Sequence, residues 1–270
     1  LERIRRGDAH PSSSSSSTSN AVDNYLNDTQ NNGLDDTSLA GLSALGLFTV
    51  TSPFWLPPLA LDDHYDQTAS FSPYPYARFD SAYLNLYSDH LSPPANPELS
   101  FWDSDYLKEW SLQVQLEDGN DFNGLNRLGG RIAFDTASRF GLRSNWDWYY
   151  ENLGNGHSDQ TLMFDDELTF RFAQADWVRM YVGVGCRAME DRQTDRWGFD
   201  FVYGADVFPV WPLVLSTSID LGDLGAAFYL DARATAGWAW RFGEVFIGYD
   251  YRRIGDVNLQ GALAGFRLWF

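Results

Sequence analysis

The sequence predicts an all-β fold: a ten-stranded antiparallel up-and-down transmembrane β-barrel preceded by a largely irregular N-terminal extension. Three observations predict it. From about Trp110 onward the chain is a succession of segments of similar length that alternate apolar and polar residues, the period-2 signature of strands. The polar face of each segment carries Gly, Arg and Asp, with few of the Lys, Ser and Gln that coat a solvated sheet. Aromatic residues make up 16% of the chain, 11 of them Trp, and the large rings gather towards segment ends as interfacial girdles do.

Residues 1–36 are read as low-complexity, disordered linker: the serine run Ser12 to Ser17 is followed by a stretch rich in Asn and Asp, a composition that buries little. The chain opens Leu1-Glu2-Arg3, which reads as a fragment or processed form. Residues 37–107 form a Pro/Tyr/Asp-rich extension. Leu39 to Phe48 is small and apolar, with Asp35, Asp36, Thr37 and Ser38 before it as N-cap candidates. A short helix near residues 38–50 is expected there, at a membrane interface or the barrel mouth, with Pro53 ending it. The prolines from Pro57 to Pro97 exclude a central strand and point to extended wrapping or a linker.

Ten strands are expected over 108–117, 126–135, 138–150, 160–173, 176–188, 195–208, 211–220, 226–241, 244–253 and 258–270. Connections after the odd strands carry turn-rich stretches such as Asp118-Gly119-Asn120-Asp121 and Asn152 to Ser158. Those after the even strands are tight: Thr136-Ala137, Gln174-Ala175, Pro209-Val210 and Phe242-Gly243. Long loops at one end and tight turns at the other is the membrane-barrel pattern, and an even strand number leaves both ends of the barrel on the tight-turn, periplasmic side.

Counting in twos assigns the faces. Phe140, Leu142, Trp146, Trp148 and Tyr150 share the outward face of the third strand, opposite Arg139, Gly141, Arg143, Asn145 and Asp147. The same rule sends twenty charges into the lumen: Glu117, Arg131, Asp135, Arg139, Arg143, Asp147, Asp165, Glu167, Arg171, Arg179, Arg187, Asp200, Asp206, Asp220, Asp231, Arg233, Arg241, Asp250, Arg252 and Arg267. In so narrow a barrel they should pair into a hydrogen-bonded network that replaces an apolar core, because a buried unpaired charge is expensive.

The final strand, Ala262 to Phe270, alternates and ends on an aromatic. On these residues the chain resembles the small outer-membrane β-barrel proteins of diderm bacteria, such as the OmpA transmembrane domain, OmpX and OmpW. The likeness is architectural, covers about residues 108–270 and indicates no specific subfamily. It implies a bacterial outer-membrane location with a periplasmic extension, a lipid environment, and Phe270 as the signal read by the barrel-assembly machinery.

The net charge of −18 leaves no basic stripe for phosphates, which argues against nucleic-acid binding. Residues 1–107 hold 14 acids against four Arg, and residues 108–270 hold 23 acids against 14 Arg and Lys108, the sole lysine. Cys186 is the only cysteine, so there is no disulfide framework. His157-Ser158-Asp159 is a poor catalytic arrangement, since neighbouring side chains diverge. Asp62-Asp63-His64-Tyr65-Asp66 reads as a solvated acidic turn before it reads as a cation site, and Asp118 to Gly124 matches a calcium loop only loosely. The expectation is a monomer that is not an enzyme and has no cofactor, metal or catalytic residue, with a structural or envelope-anchoring role; a narrow passive pore is the alternative and a lipid-modifying enzyme a third reading. The extension is free to plug the periplasmic mouth, to dock on another envelope protein or to stay disordered.

Overall fold

The computed structural model describes residues 51–77, 82–86, 107–121, 124–152, 158–191 and 195–270. The expected helix near 38–50 and the linker over 1–36 lie outside the described residues. A helix, α1, spans 51–60. Pro53 therefore lies inside a helical stretch rather than ending one. Phe54, Trp55, Leu56 and Leu59 of α1 are exposed. The helix forms part of a unit over residues 9–62 that is distinct from the rest.

Two short strands follow, β1 (Ser70–Phe71) and β2 (Leu84–Asn85), paired antiparallel. The barrel comprises β3 (Trp110–Asn120), β4 (Leu125–Thr136), β5 (Phe140–Asn152), β6 (Ser158–Ala175), β7 (Val178–Asp191), β8 (Asp195–Val210), β9 (Leu213–Leu224), β10 (Ala227–Trp240), β11 (Gly243–Ile254) and β12 (Val257–Trp269). Each strand pairs with the next, and β12 pairs with β3, so the sheet closes on itself and has no edge. Closure is completed at the terminus, where the backbones of Phe270 and Leu112 exchange two hydrogen bonds.

Strand boundaries differ from expectation at the turns. The β8–β9 turn lies at Trp211-Pro212, not Pro209-Val210. The register shifts between Val207 and Val210, because Pro209 has no N–H to give and the ladder skips it. The loop asymmetry is also weaker than expected. Gly225-Ala226 and Gly255-Asp256 are two-residue connections at the supposed long-loop end, each with its Gly at positive φ (67° and 57°), a conformation without steric cost for Gly alone.

The outer face is apolar. Leu142, Leu168, Val184, Ile219 and Ile247 form its middle. Phe140, Trp177, Trp211, Trp238 and Trp240 ring the turn end, and Trp148, Tyr150, Trp197, Phe199 and Phe228 the other. Asp118 and Asp166 also project outward, each at a cost in lipid. Strands of 11 to 18 residues exceed the roughly 9–11 needed to cross a bilayer.

Candidate functional site

The lumen is stratified into two apolar caps with a charged layer between. At the turn end, Phe71, Tyr83 and Leu84 from the extension pack against Phe208, Val214, Ala239 and Trp269 of the barrel. The Tyr83 ring lies 5.0 Å from Phe208 and 4.9 Å from Trp269, and its hydroxyl bonds to that of Ser111. Residues 107–109 are tied in by a bridge between Phe71 and Lys108. At the loop end, Leu125, Tyr149, Met163, Met189, Leu224, Ala227, Tyr229 and Ile254 close the bore.

Asp63 and Arg139 lock the turn-end cap. Arg139 Nη1 and Nη2 donate to the two carboxylate oxygens of Asp63 at 2.9 and 2.6 Å, and its remaining donors reach the carbonyls of Gln67, His64 and Arg171. Arg139 has φ = 72°; it sits in the β4–β5 turn and belongs to the mouth, where it serves the extension instead of a lumen pair. Asp63 is thus no solvated acidic turn: its carboxylate is wholly buried and also accepts the backbone N–H of Gln174. A fork-to-fork pair of this kind fixes orientation as well as charge.

The middle layer is a mesh of guanidinium–carboxylate contacts. Glu117 accepts from Gln115 (2.6 Å), Arg127 (2.5 Å) and, through both oxygens, Arg233. Arg127 reaches on to Asp250 (2.7 Å) and Asp147 (3.6 Å). Arg252 joins Asp147 (2.8 Å), Asp231 (2.5 Å) and the Tyr149 hydroxyl. Arg187 lies over the Tyr229 ring and pairs with Asp165 and Asp200. Towards the turn end, Arg179 bridges Asp206 and Asp135, Arg171 donates to Gln174 and approaches Asp135 at 3.9 Å, and Arg267 holds Glu244. Arg131 donates to Asn145 at 2.5 Å, and Arg143 donates to the Tyr181 hydroxyl with its guanidinium over that ring.

Of the twenty expected lumen charges, Arg241 is the clear correction. It stands exposed in the β10–β11 turn at φ = 47°, one residue past the last paired position. Arg127, Glu244 and Asp63 were missed. Arg127 lies four residues before Arg131 on the same parity, and Glu244 shares parity with Asp250 and Arg252; both fall inside the expected strands 126–135 and 244–253, so counting in twos through those spans finds both. Of His157-Ser158-Asp159, the first residue lies outside the described residues, and Asp159 is buried in β6.

A cavity of about 30 Å³ lies against Arg127, Tyr149 and Asp250 towards the loop end, and one of about 10 Å³ within the charged layer is lined by Glu117, Arg131, Asn145, Asp220 and Asp231 among others. The second has room for about one water at most. The packing leaves little slack: a Cβ on Gly204 would overlap the ring of Tyr181, its cross-strand partner. Gly204→Ala is therefore expected to lower stability by about 1–3 kcal/mol through displacement of Tyr181 from Arg143, read as a shift of the urea midpoint in detergent.

The chain closes an even number of antiparallel strands, points its apolar residues outward and pairs its charges inward. The architecture is that of a small outer-membrane β-barrel. No protein-family model matches the chain, and no curated protein matches it. Among solved structures it is similar to the Yersinia pestis outer membrane protein Ail in a phospholipid bilayer nanodisc, at 11% identity and a TM-score of 0.33 over 60% of this chain and 100% of that one. The crystal structure of Ail, the attachment invasion locus protein, gives 12% identity and a TM-score of 0.27 over 60% and 96%. CdiB from Acinetobacter baumannii gives 7% identity and a TM-score of 0.31 over 56% of this chain and 40% of CdiB, so the barrel spans well under half of that protein. These are distant likenesses of barrel architecture and carry no functional residue across.

Proposed function

We propose that this protein is an integral barrel of the bacterial outer membrane with a non-conducting lumen and a structural, envelope-anchoring role. The observation that supports it is the filled bore: apolar caps at both ends enclose a densely packed layer in which nine carboxylates pair with arginines. Conduction requires a continuous aqueous path with sites weak enough to leave, and moving this mesh aside would strand several buried charges at once. In this reading the extension enters from the periplasmic side, and the barrel is monomeric, embedded in outer-membrane lipid. Phe270 is the mark that the barrel-assembly machinery reads. The exposed aromatic and aliphatic residues of α1 suit a lipid interface or a second envelope protein as the anchoring partner.

Purified full-length protein reconstituted in planar bilayers is expected to give no unitary current steps. Reproducible single-channel steps would reject the filled-lumen reading in favour of a narrow passive pore.

A further inference from the structure

We propose that the lumen holds a divalent cation, calcium by preference, between Glu167 of β6, Asp200 of β8 and Asp220 of β9. One carboxylate oxygen from each residue lies within 4.8 Å of the other two, and all three residues are buried.

An acidic cluster alone would argue nothing, but Glu167 is distinctive. It is 3% exposed, yet both of its carboxylate oxygens lack a hydrogen-bond donor. A carboxylate so placed demands compensation, since burying an uncompensated charge costs several kcal/mol. Arg143 stands opposite it across the β5–β6 pair, yet no arginine gives it a hydrogen bond. Arg143 turns to Tyr181, Arg131 to Asn145, and Arg187 engages Asp200 and Asp165. Among the described residues, no guanidinium forms an ion pair with Glu167 or Asp220.

The charge balance of the whole layer points the same way. Leaving aside Asp63, Arg139 and Lys108 of the turn-end cap, nine guanidiniums occupy the lumen, and nine carboxylates there are ion-paired with an arginine. Glu167 and Asp220 come in addition. The surplus is two negative charges, the amount one divalent cation cancels.

The register keeps other side chains from standing between these carboxylates. Glu167 faces Gly185 of β7, Gly185 faces Asp200, and Asp200 faces Gly222 of β9. Carboxylates thus alternate with residues that have no side chain, and a Cβ at either glycine would overlap the neighbouring strand's backbone. The donors are hard oxygens, which select calcium, magnesium or manganese over softer metals. Calcium–oxygen distances of about 2.3–2.6 Å let opposed ligands stand about 5 Å apart, whereas magnesium, at about 2.0–2.1 Å, holds them to about 4 Å. Donor oxygens within 4.8 Å of one another fall inside the separation that calcium bridges.

The competing account is that Glu167, Asp200 and Asp220 share protons. Metal content decides between them, independently of conductance. Full-length protein refolded in detergent with calcium, then exchanged into chelator while folded, is measured by elemental mass spectrometry. About one calcium per chain is expected to remain, falling below about 0.1 per chain in the Glu167→Gln/Asp220→Asn double variant. Calcium during refolding should raise the urea midpoint of the unaltered protein and leave that of the double variant unmoved. A calcium-free or magnesium-loaded unaltered protein overturns the assignment. So does equal calcium in protein and variant, which would place the ion elsewhere. Should the variant fail to fold, the metal content of the unaltered protein still decides.

Discussion

Glu117→Ala is expected to destabilise the barrel by about 3–5 kcal/mol, against less than about 0.5 kcal/mol for Asp256→Ala in the exposed β11–β12 turn. Glu117 accepts from Gln115, Arg127 and both terminal nitrogens of Arg233. Its removal leaves Arg233 without its ion-pair partner and Arg127 with only the acids on its other side. The loss is dominated by this stranded charge, and a second change should recover part of it. Replacing Arg233 with Met in the Glu117→Ala background removes the stranded charge and leaves an apolar pair, a replacement that in other buried pairs is neutral or stabilising. Urea unfolding in lipid bilayers measures both effects. Equal midpoints for Glu117→Ala and Asp256→Ala would show that the lumen is solvated and the mesh is not what holds the barrel closed.

Parity made the charged layer legible, because a strand whose lipid face is uniformly apolar has a polar face wherever it changes character. Asp147, Asp165, Arg187 and Arg252 all follow from counting in twos. The method fails where both faces are apolar. Tyr149 lies between the outward Trp148 and Tyr150, and Tyr229 follows the outward Phe228, so period-2 contrast vanishes at the loop end and the cap there gives no signal. Arg127 and Glu244 are within reach of the same count, since both stand on the lumen parity inside the expected strands 126–135 and 244–253, close to ends where a strand's inward course is least certain. Arg241 was gained at such an end. The turn-end cap was illegible altogether, since nothing in Asp62-Asp63-His64 announces a salt bridge to Arg139, a residue 76 positions away. The Glu167–Asp200–Asp220 cluster combines three strands and becomes visible only when the register is known.

The extension can be tested through Lys108, because the endoproteinase Lys-C has no other lysine to cut. Lys108 is 5% exposed, and its N–H and carbonyl both bond to Phe71, at 2.9 and 2.8 Å. While the cap is seated, the bond after Lys108 cannot enter a protease as an extended segment, and the folded protein is expected to resist cleavage. Tyr83→Ala removes the ring that joins Phe71, Phe208 and Trp269, at a cost to the docking of about 3–5 kcal/mol. Cleavage should then be rapid and detach residues 1–108 from the barrel. Equal resistance in the variant would mean that the Asp63–Arg139 clamp alone keeps the extension seated. A gentler version uses the phenol itself. Burial raises the Tyr83 hydroxyl from 10.0 to about 12, outweighing the pull of Arg179 towards the phenolate. The folded state therefore keeps its proton where the unseated chain releases it. Docking is undiminished below pH 10 and weakens as pH rises from 10 through 12, by about 3 kcal/mol at the upper limit. Near-ultraviolet circular dichroism of the packed rings should fall across that interval, while Tyr83→Phe, which has no proton to lose, holds its signal. A loss of the same size in Tyr83→Phe would assign the alkaline transition to the barrel instead of the cap.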